Sequence, residues 1–148
     1  MEKGLERSLL SQIRETFGGG DVDIRTYSPV TLAYIGDAVF ELIIRTLIVE
    51  KGQRAANTLH KHTTKVVCAQ TQAKMIDAVY DTLTEEEQDI YRRSKNTKLH
   101  STAKNASLAD YRKATGFEAL CGYLFLEDDV ERITQLVRQA VDAAQVEL

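Results

Sequence analysis

Apolar residues recur along this chain at a spacing near 3.6, and strict alternation of apolar with polar positions is almost absent, which predicts an all-α protein. Residues 5–17 (LERSLLSQIRETF) make the first such segment, closed by Gly18-Gly19-Gly20, and residues 21–27 (DVDIRTY) read as a linker. Ser28 with Pro29 predicts a helix start, because a Ser oxygen accepts a first-turn N–H and Pro lacks one that would be unpaired there anyway. That helix runs to about residue 50, with Gly52 as its stop. A short helix is expected over 55–62 and another over 64–80, whose apolar stripe is Val67, Cys68, Met75, Ile76 and Val79. Thr84 and Glu87 match the capping-box pattern and open a helix to about Ser94. Residues 95–105 (KNTKLHSTAKN) have no period and read as a loop. Ser107 with Asp110 opens a helix through GFEALCGYLFLE to about residue 127. Asp128 with Glu131 opens a last amphipathic helix bearing Val130, Ile133, Leu136, Val137, Ala140 and Val141.

A length of 148 residues suits one domain with a real core. No apolar run is long and uncharged enough to span a bilayer, and no signal segment opens the chain, so a soluble cytoplasmic protein without membrane contact is expected. Cys68 and Cys121 lack metal-ligand spacing and read as buried free thiols. His60, His62 and His100 lie on polar segments and read as surface residues. Charge changes the picture more. Residues 91–113 carry Arg92, Arg93, Lys95, Lys98, Lys104, Arg112 and Lys113 against the single acid Asp110, in a chain whose net charge is −3. A polyanion would be drawn to that segment and repelled elsewhere.

Two acids are out of place. Asp37 sits among Leu32, Ile35, Val39, Phe40, Ile43 and Ile44, and Glu118 sits in the run FEALCGYLFL, although an unpaired charge among apolar groups is costly. If the two helices pack together, the small residues Gly36, Ala38, Gly116, Ala119 and Gly122 let the backbones approach and bring the carboxylates to one point. Like charges that close repel unless a cation lies between them, and a hard divalent ion such as Mg²⁺ is suited to one or two carboxylates plus waters and phosphates. The alternative is that each acid is neutralised by a buried cation, Arg45 being the nearest to Asp37 in helical register. Glu41 shares that face and is expected to pair with Arg45 rather than join a metal site.

Residues 32–39 (LAYIGDAV) resemble the signature helix of the ribonuclease III catalytic domain, commonly LEFLGD followed by a small and an aliphatic residue. Residues 114–122 (ATGFEALCG) with Leu126-Glu127 resemble that family's second acidic motif, AD-x-FEALIGA. The resemblance covers residues 28–147 and implies an all-α ribonuclease III catalytic-domain-like helical bundle over 28–148, preceded by an N-terminal extension, residues 1–27, with a short helix. The family's four metal-site acids would fall at 33, 37, 115 and 118, where Ala33 and Thr115 leave Asp37 and Glu118. No room remains after the last helix for a double-stranded-RNA-binding domain. Both departures resemble the Mini-ribonuclease III subfamily.

The resemblance implies a homodimeric, Mg²⁺-dependent endoribonuclease of double-stranded RNA, whose usual substrate in that subfamily is the stalk of precursor 23S ribosomal RNA, with assistance from a ribosomal protein left open. Asp37 and Glu118 are the catalytic and metal-binding candidates, with one Mg²⁺ completed by waters and phosphate oxygens. Arg92, Arg93, Lys95, Asn96, Lys98, Lys104 and Asn105 are the RNA-binding candidates, reading shape across the minor groove, with Ser101 and Thr102 beside them. The missing acids keep a catalytically silent RNA-binding protein of the same fold as the alternative.

Overall fold

In a computed structural model, the described residues, 7–97 and 107–148, form seven α-helices and no strand, as the apolar spacing predicts. They are α1 (Leu9–Phe17), α2 (Pro29–Val49), α3 (Ala56–Val67), α4 (Ala69–Val79), α5 (Glu85–Lys95), α6 (Leu108–Leu126) and α7 (Val130–Ala143). α6 is the axis. From Ala114 to Leu124 only Glu118 escapes full burial, as expected of a helix apolar on every side. α2, α4, α5 and α7 pack around it, and Phe40 of α2 meets Phe117 edge-on at 5.3 Å between ring centres.

Two glycines set the closest crossing. A Cβ on Gly36 would lie 1.6 Å from the Glu118 carbonyl oxygen, and one on Gly122 would lie 2.0 Å from the Leu32 carbonyl oxygen. The α2 and α6 backbones therefore touch at two levels one turn apart, which no larger residue permits. Gly116 does something else: its missing side chain makes room for the Tyr91 ring of α5, 2.7 Å from where its Cβ would stand.

Local capping largely follows the sequence. Ser28 Oγ accepts the Thr31 N–H at 3.1 Å, Thr84 and Glu87 form the reciprocal capping box, and Ser107 Oγ accepts the Asp110 N–H at 3.0 Å. Three expectations shift. The first helix begins at Leu9, because Ser8 caps it by accepting the Ser11 N–H. The expected break near residue 63 moves to Cys68, whose extended backbone separates α3 from α4. Thr63 and Val66 are buried and carry α3 past the expected end, and the Thr71 hydroxyl donates to the Lys65 carbonyl across the corner at 2.8 Å. The cap of α7 is Asp129, not Asp128, which turns the corner with φ 59°. Residues 21–27 hold a 3-10 turn, Ile24–Thr26, within the expected linker.

α1 docks through Leu10, which is buried, and through Arg14, whose Nη2 donates to the Leu126 carbonyl at 2.9 Å. Cys121 is buried and free; Cys68 is free but half-buried, because it sits at the helix corner. His60 is exposed, whereas His62 is half-buried with Nε2 3.3 Å from the Glu147 carbonyl. His100 lies outside the described residues.

Candidate active site

Asp37 follows Gly36 on α2, and the carbonyl that Gly36 admits is that of Glu118 itself. The glycine contact that joins the helices therefore brings the two acids together, with the Asp37 carboxyl in hydrogen-bonding reach of Glu118. Both line a cleft of about 610 Å³ between α2 and α6, with Asp37 exposed and Glu118 half-buried. Burial first, and then the neighbouring Asp37 carboxyl, push the Glu118 carboxyl up to about 8. Among the described residues neither acid pairs with a Lys, Arg or His, and none of these lines the cleft.

The neutralising role considered for Arg45 is taken up elsewhere, since its Nη2 lies 2.8 Å from Glu41 Oε2 one turn away. Ala33 and Thr115 line the same cleft, at the two positions where the resemblance places further acids. Thr115 turns its hydroxyl back to its own helix, donating to the Tyr111 carbonyl at 3.0 Å. One polar partner escaped the sequence reading. Gln72 of α4 is 2% exposed, and its Nε2 donates to Glu118 Oε2 at 3.4 Å. A lone Gln within the apolar stripe of α4 was the available signal.

The basic candidates divide. Arg92 and Arg93 are exposed on the last turns of α5, where Arg92 lies 3.8 Å from Asp89. Lys95 is half-buried, its Nζ 5.7 Å from the centre of the Tyr91 ring. Asn96 is exposed and closes the helix through its backbone N–H on the Arg92 carbonyl. Lys98, Lys104 and Asn105, with Ser101 and Thr102, lie outside the described residues. Lys113 is engaged by Asp77 of α4 at 2.7 Å. α5 packs on α6 with Tyr91 against Gly116; Gly116 and Glu118, two residues apart, face different sides of α6, and no described residue of α5 lines the cleft.

Comparisons with known proteins bear on the family and the fold. Residues 30–129 match the ribonuclease III domain. The chain is 41% identical over 141 residues to Mini-ribonuclease 3 of Thermoanaerobacter sp. (strain X514), covering 95% of this chain and 99% of that protein, and so including most of residues 1–27. Mini-ribonuclease 3 of Streptococcus pneumoniae (strain ATCC BAA-255 / R6) is 39% identical, covering 84% of this chain and 98% of that protein. The crystal structure of a Fusobacterium nucleatum protein superposes with a TM-score of 0.75 at 30% identity, over 82% of this chain and 99% of that one. A match over most of the chain, with paired acids in an all-α frame, leads to one conclusion: this chain belongs to the ribonuclease III domain family, in its Mini-ribonuclease 3 branch, and with the family goes endoribonuclease activity.

Proposed function

We propose that this endoribonuclease cuts double-stranded RNA with Mg²⁺, acts as a homodimer, and matures the ends of precursor 23S ribosomal RNA in the cytoplasm. One observation carries the reading. Two carboxylates 81 positions apart in sequence face each other in an open cleft with no Lys, Arg or His among the described residues between them. Such a pair is poorly stable as two anions and suits a hard divalent ion. Among the described residues no cluster of three or more acidic, His or Cys ligands is present, so waters and RNA phosphate oxygens complete the coordination in this reading.

Asp37 and Glu118 would hold the ion, Asp37 from the exposed side and Glu118 from the half-buried side. A bound Mg²⁺ supplies Lewis acidity toward water and a phosphoryl oxygen. The protein's own contribution is to present two carboxylates fixed by the glycine crossing. No side-chain nucleophile is needed, and no His or Cys among the described residues lines the cleft.

Duplex RNA has a backbone on each strand, so cutting both calls for two sites at a fixed separation, which a symmetric dimer supplies. Exposed Val30, Tyr34, Leu42 and Val49 on α2 support that part of the proposal. Residues 28–148 are the catalytic domain in this reading and residues 1–27 an extension, whose helix α1 docks on it through Leu10 and Arg14. RNA contacts are assigned to Arg92, Arg93, Lys95 and Asn96, together with Lys98, Lys104 and Asn105; assistance from a ribosomal protein at the stalk is part of the same proposal. A cytoplasmic location accords with there being no helix, among the described residues, long and apolar enough to cross a membrane.

The test is incubation of purified protein with a long RNA duplex, with and without Mg²⁺. Cutting only with Mg²⁺ is the expected result. Binding without cutting at any Mg²⁺ concentration identifies the silent RNA-binding protein that Ala33 and Thr115 bring into consideration.

A further inference from the structure

Glu118 is gripped from behind. Its Oε2 accepts from Gln72 Nε2 at 3.4 Å, and Gln72 is 2% exposed on a helix 46 positions away in sequence. Among the described residues no other side chain or backbone donor reaches the Glu118 carboxylate, and the Asp37 carboxyl lies beside it. A buried amide in an apolar stripe costs free energy unless it is hydrogen-bonded, and this one spends its donor on the acid that the proposed function makes a ligand.

We propose that Gln72 is a positioning residue for metal binding: it anchors Glu118 through Oε2 and leaves the other carboxyl oxygen free for a divalent cation shared with Asp37. This rests on the reading of Asp37 and Glu118 as the metal pair. The choice of an amide has a physical logic. A Lys or Arg at position 72 would neutralise Glu118 and take the place of the ion, and an acid would add a buried charge behind the two carboxyls. Gln fixes the carboxylate without altering the site's charge. Groups that orient ligands in this way are worth roughly 10–100-fold in metal affinity or activity, and such contacts are often long before substrate binds.

Gln72→Met keeps length and volume but removes the donor. Titration of RNA-free protein with Mn²⁺ by calorimetry should show affinity falling roughly 10–100-fold. Duplex cleavage should lose kcat by a similar factor with KM for RNA unchanged, and raised Mg²⁺ should recover much of the rate. Wild-type Mn²⁺ affinity and kcat in a folded Gln72→Met protein overturn the proposal.

Should that variant fail to fold, Gln72→Glu decides. A third carboxylate against Glu118 must make the melting temperature depend more steeply on Mn²⁺ than in the wild type, and an unchanged dependence overturns the proposal. Asp37→Asn separates the two levels. If Asp37→Asn binds Mn²⁺ and cuts RNA like the wild type, the metal pair itself is wrong; if it is inactive while Gln72→Met matches the wild type, only the role of Gln72 falls.

Discussion

Glu87 and Glu118 are both withdrawn from water, and their surroundings are opposite. Glu87 is 5% exposed, accepts from the Arg132 guanidinium at 2.7 and 2.8 Å, and accepts the Thr84 N–H at 2.9 Å. Burial alone would push its carboxyl up, but the guanidinium and the capping N–H outweigh burial and hold it below its ordinary value. Glu118 meets one amide and another acid, and burial together with Asp37 pushes it up to about 8. The difference separates two uses of a costly residue. Around Glu87 the protein supplies every partner, so the group is complete and structural. Around Glu118 the described residues supply an amide and a second acid but no cation, which is where the proposed metal ion would act.

The largest effect that would break this comparison lies at the exposed member of the second pair. Asp37→Asn keeps shape and removes a charge the proposed ion needs, so duplex cleavage should fall on the order of 10³-fold while RNA affinity holds, by analogy with the loss of a single transition-state-stabilising group. Gel-based cleavage rates and filter binding check both halves. Retention of most activity would mean that the acid pair, despite its geometry, is not the reacting centre.

Next comes stability. Arg132→Met strands Glu87 beside its cap, and removing one partner of a buried pair costs about 3 kcal/mol, at the low end because Arg132 keeps 19% of its side-chain surface exposed. For a chain of this size that is a drop in melting temperature of roughly 6–12 °C. Glu118→Gln should do the reverse: without metal it relieves the repulsion and leaves melting unchanged or higher at neutral pH and above. Equal losses in both variants would erase the distinction.

How much of this was legible in the sequence depends on the range of the interaction. Ser28-Pro29, Thr84 with Glu87, and Ser107 declare their helix starts because a cap is settled within four residues. The acid pair was legible because Asp37 and Glu118 offend their own apolar runs, and Gly36 and Gly122 supply the means of contact. Cys68 was not, since no Gly, Pro or side-chain cap marks that corner; the Thr71 hydroxyl on the Lys65 carbonyl does. Gln72, Arg132 and the partner of Gly116 were hidden for one reason: each is chosen by packing against a helix 25 to 46 positions away.

The two acids also predict opposite pH behaviour. Glu87 has a folded value below its unfolded one, so its contribution to stability is present above about pH 4.5 and is lost as pH falls through the folded value. Glu118 has a folded value above its unfolded one. Its contribution is complete below about pH 4.5 and is lost as pH rises through about 8. In metal-free buffer, melting of the wild type relative to Glu118→Gln should therefore decline between pH 5 and 9. Added Mg²⁺ should raise the wild-type melting temperature more at pH 8.5 than at pH 6, by a few degrees, because only the ionised pair binds it well. A Mg²⁺ effect of equal size at both pH values would count against the pair as the binding site.

The smallest expected effect concerns the region that joins the two, the basic end of α5. Arg92, Arg93 and Lys95 follow an acidic first turn of Glu85, Glu86 and Glu87, so their charge also complements the helix dipole, worth about 0.3–1 kcal/mol. A dipole role and an RNA role are separable. Lys95 lies over Tyr91, and Tyr91 packs on Gly116 of α6, so a charge reversal there tests whether bound RNA extends to this end of α5. Lys95→Glu should weaken duplex affinity roughly 3- to 10-fold at moderate salt and reduce the slope of log affinity against log salt by about one, as for one lost phosphate contact. Melting should fall by no more than a dipole contribution, and Arg138→Glu on the exposed face of α7, where Arg138 pairs with Asp142, should leave affinity unchanged. If both reversals alter binding equally, the attraction is diffuse, and α5 holds its cations for the helix rather than for RNA.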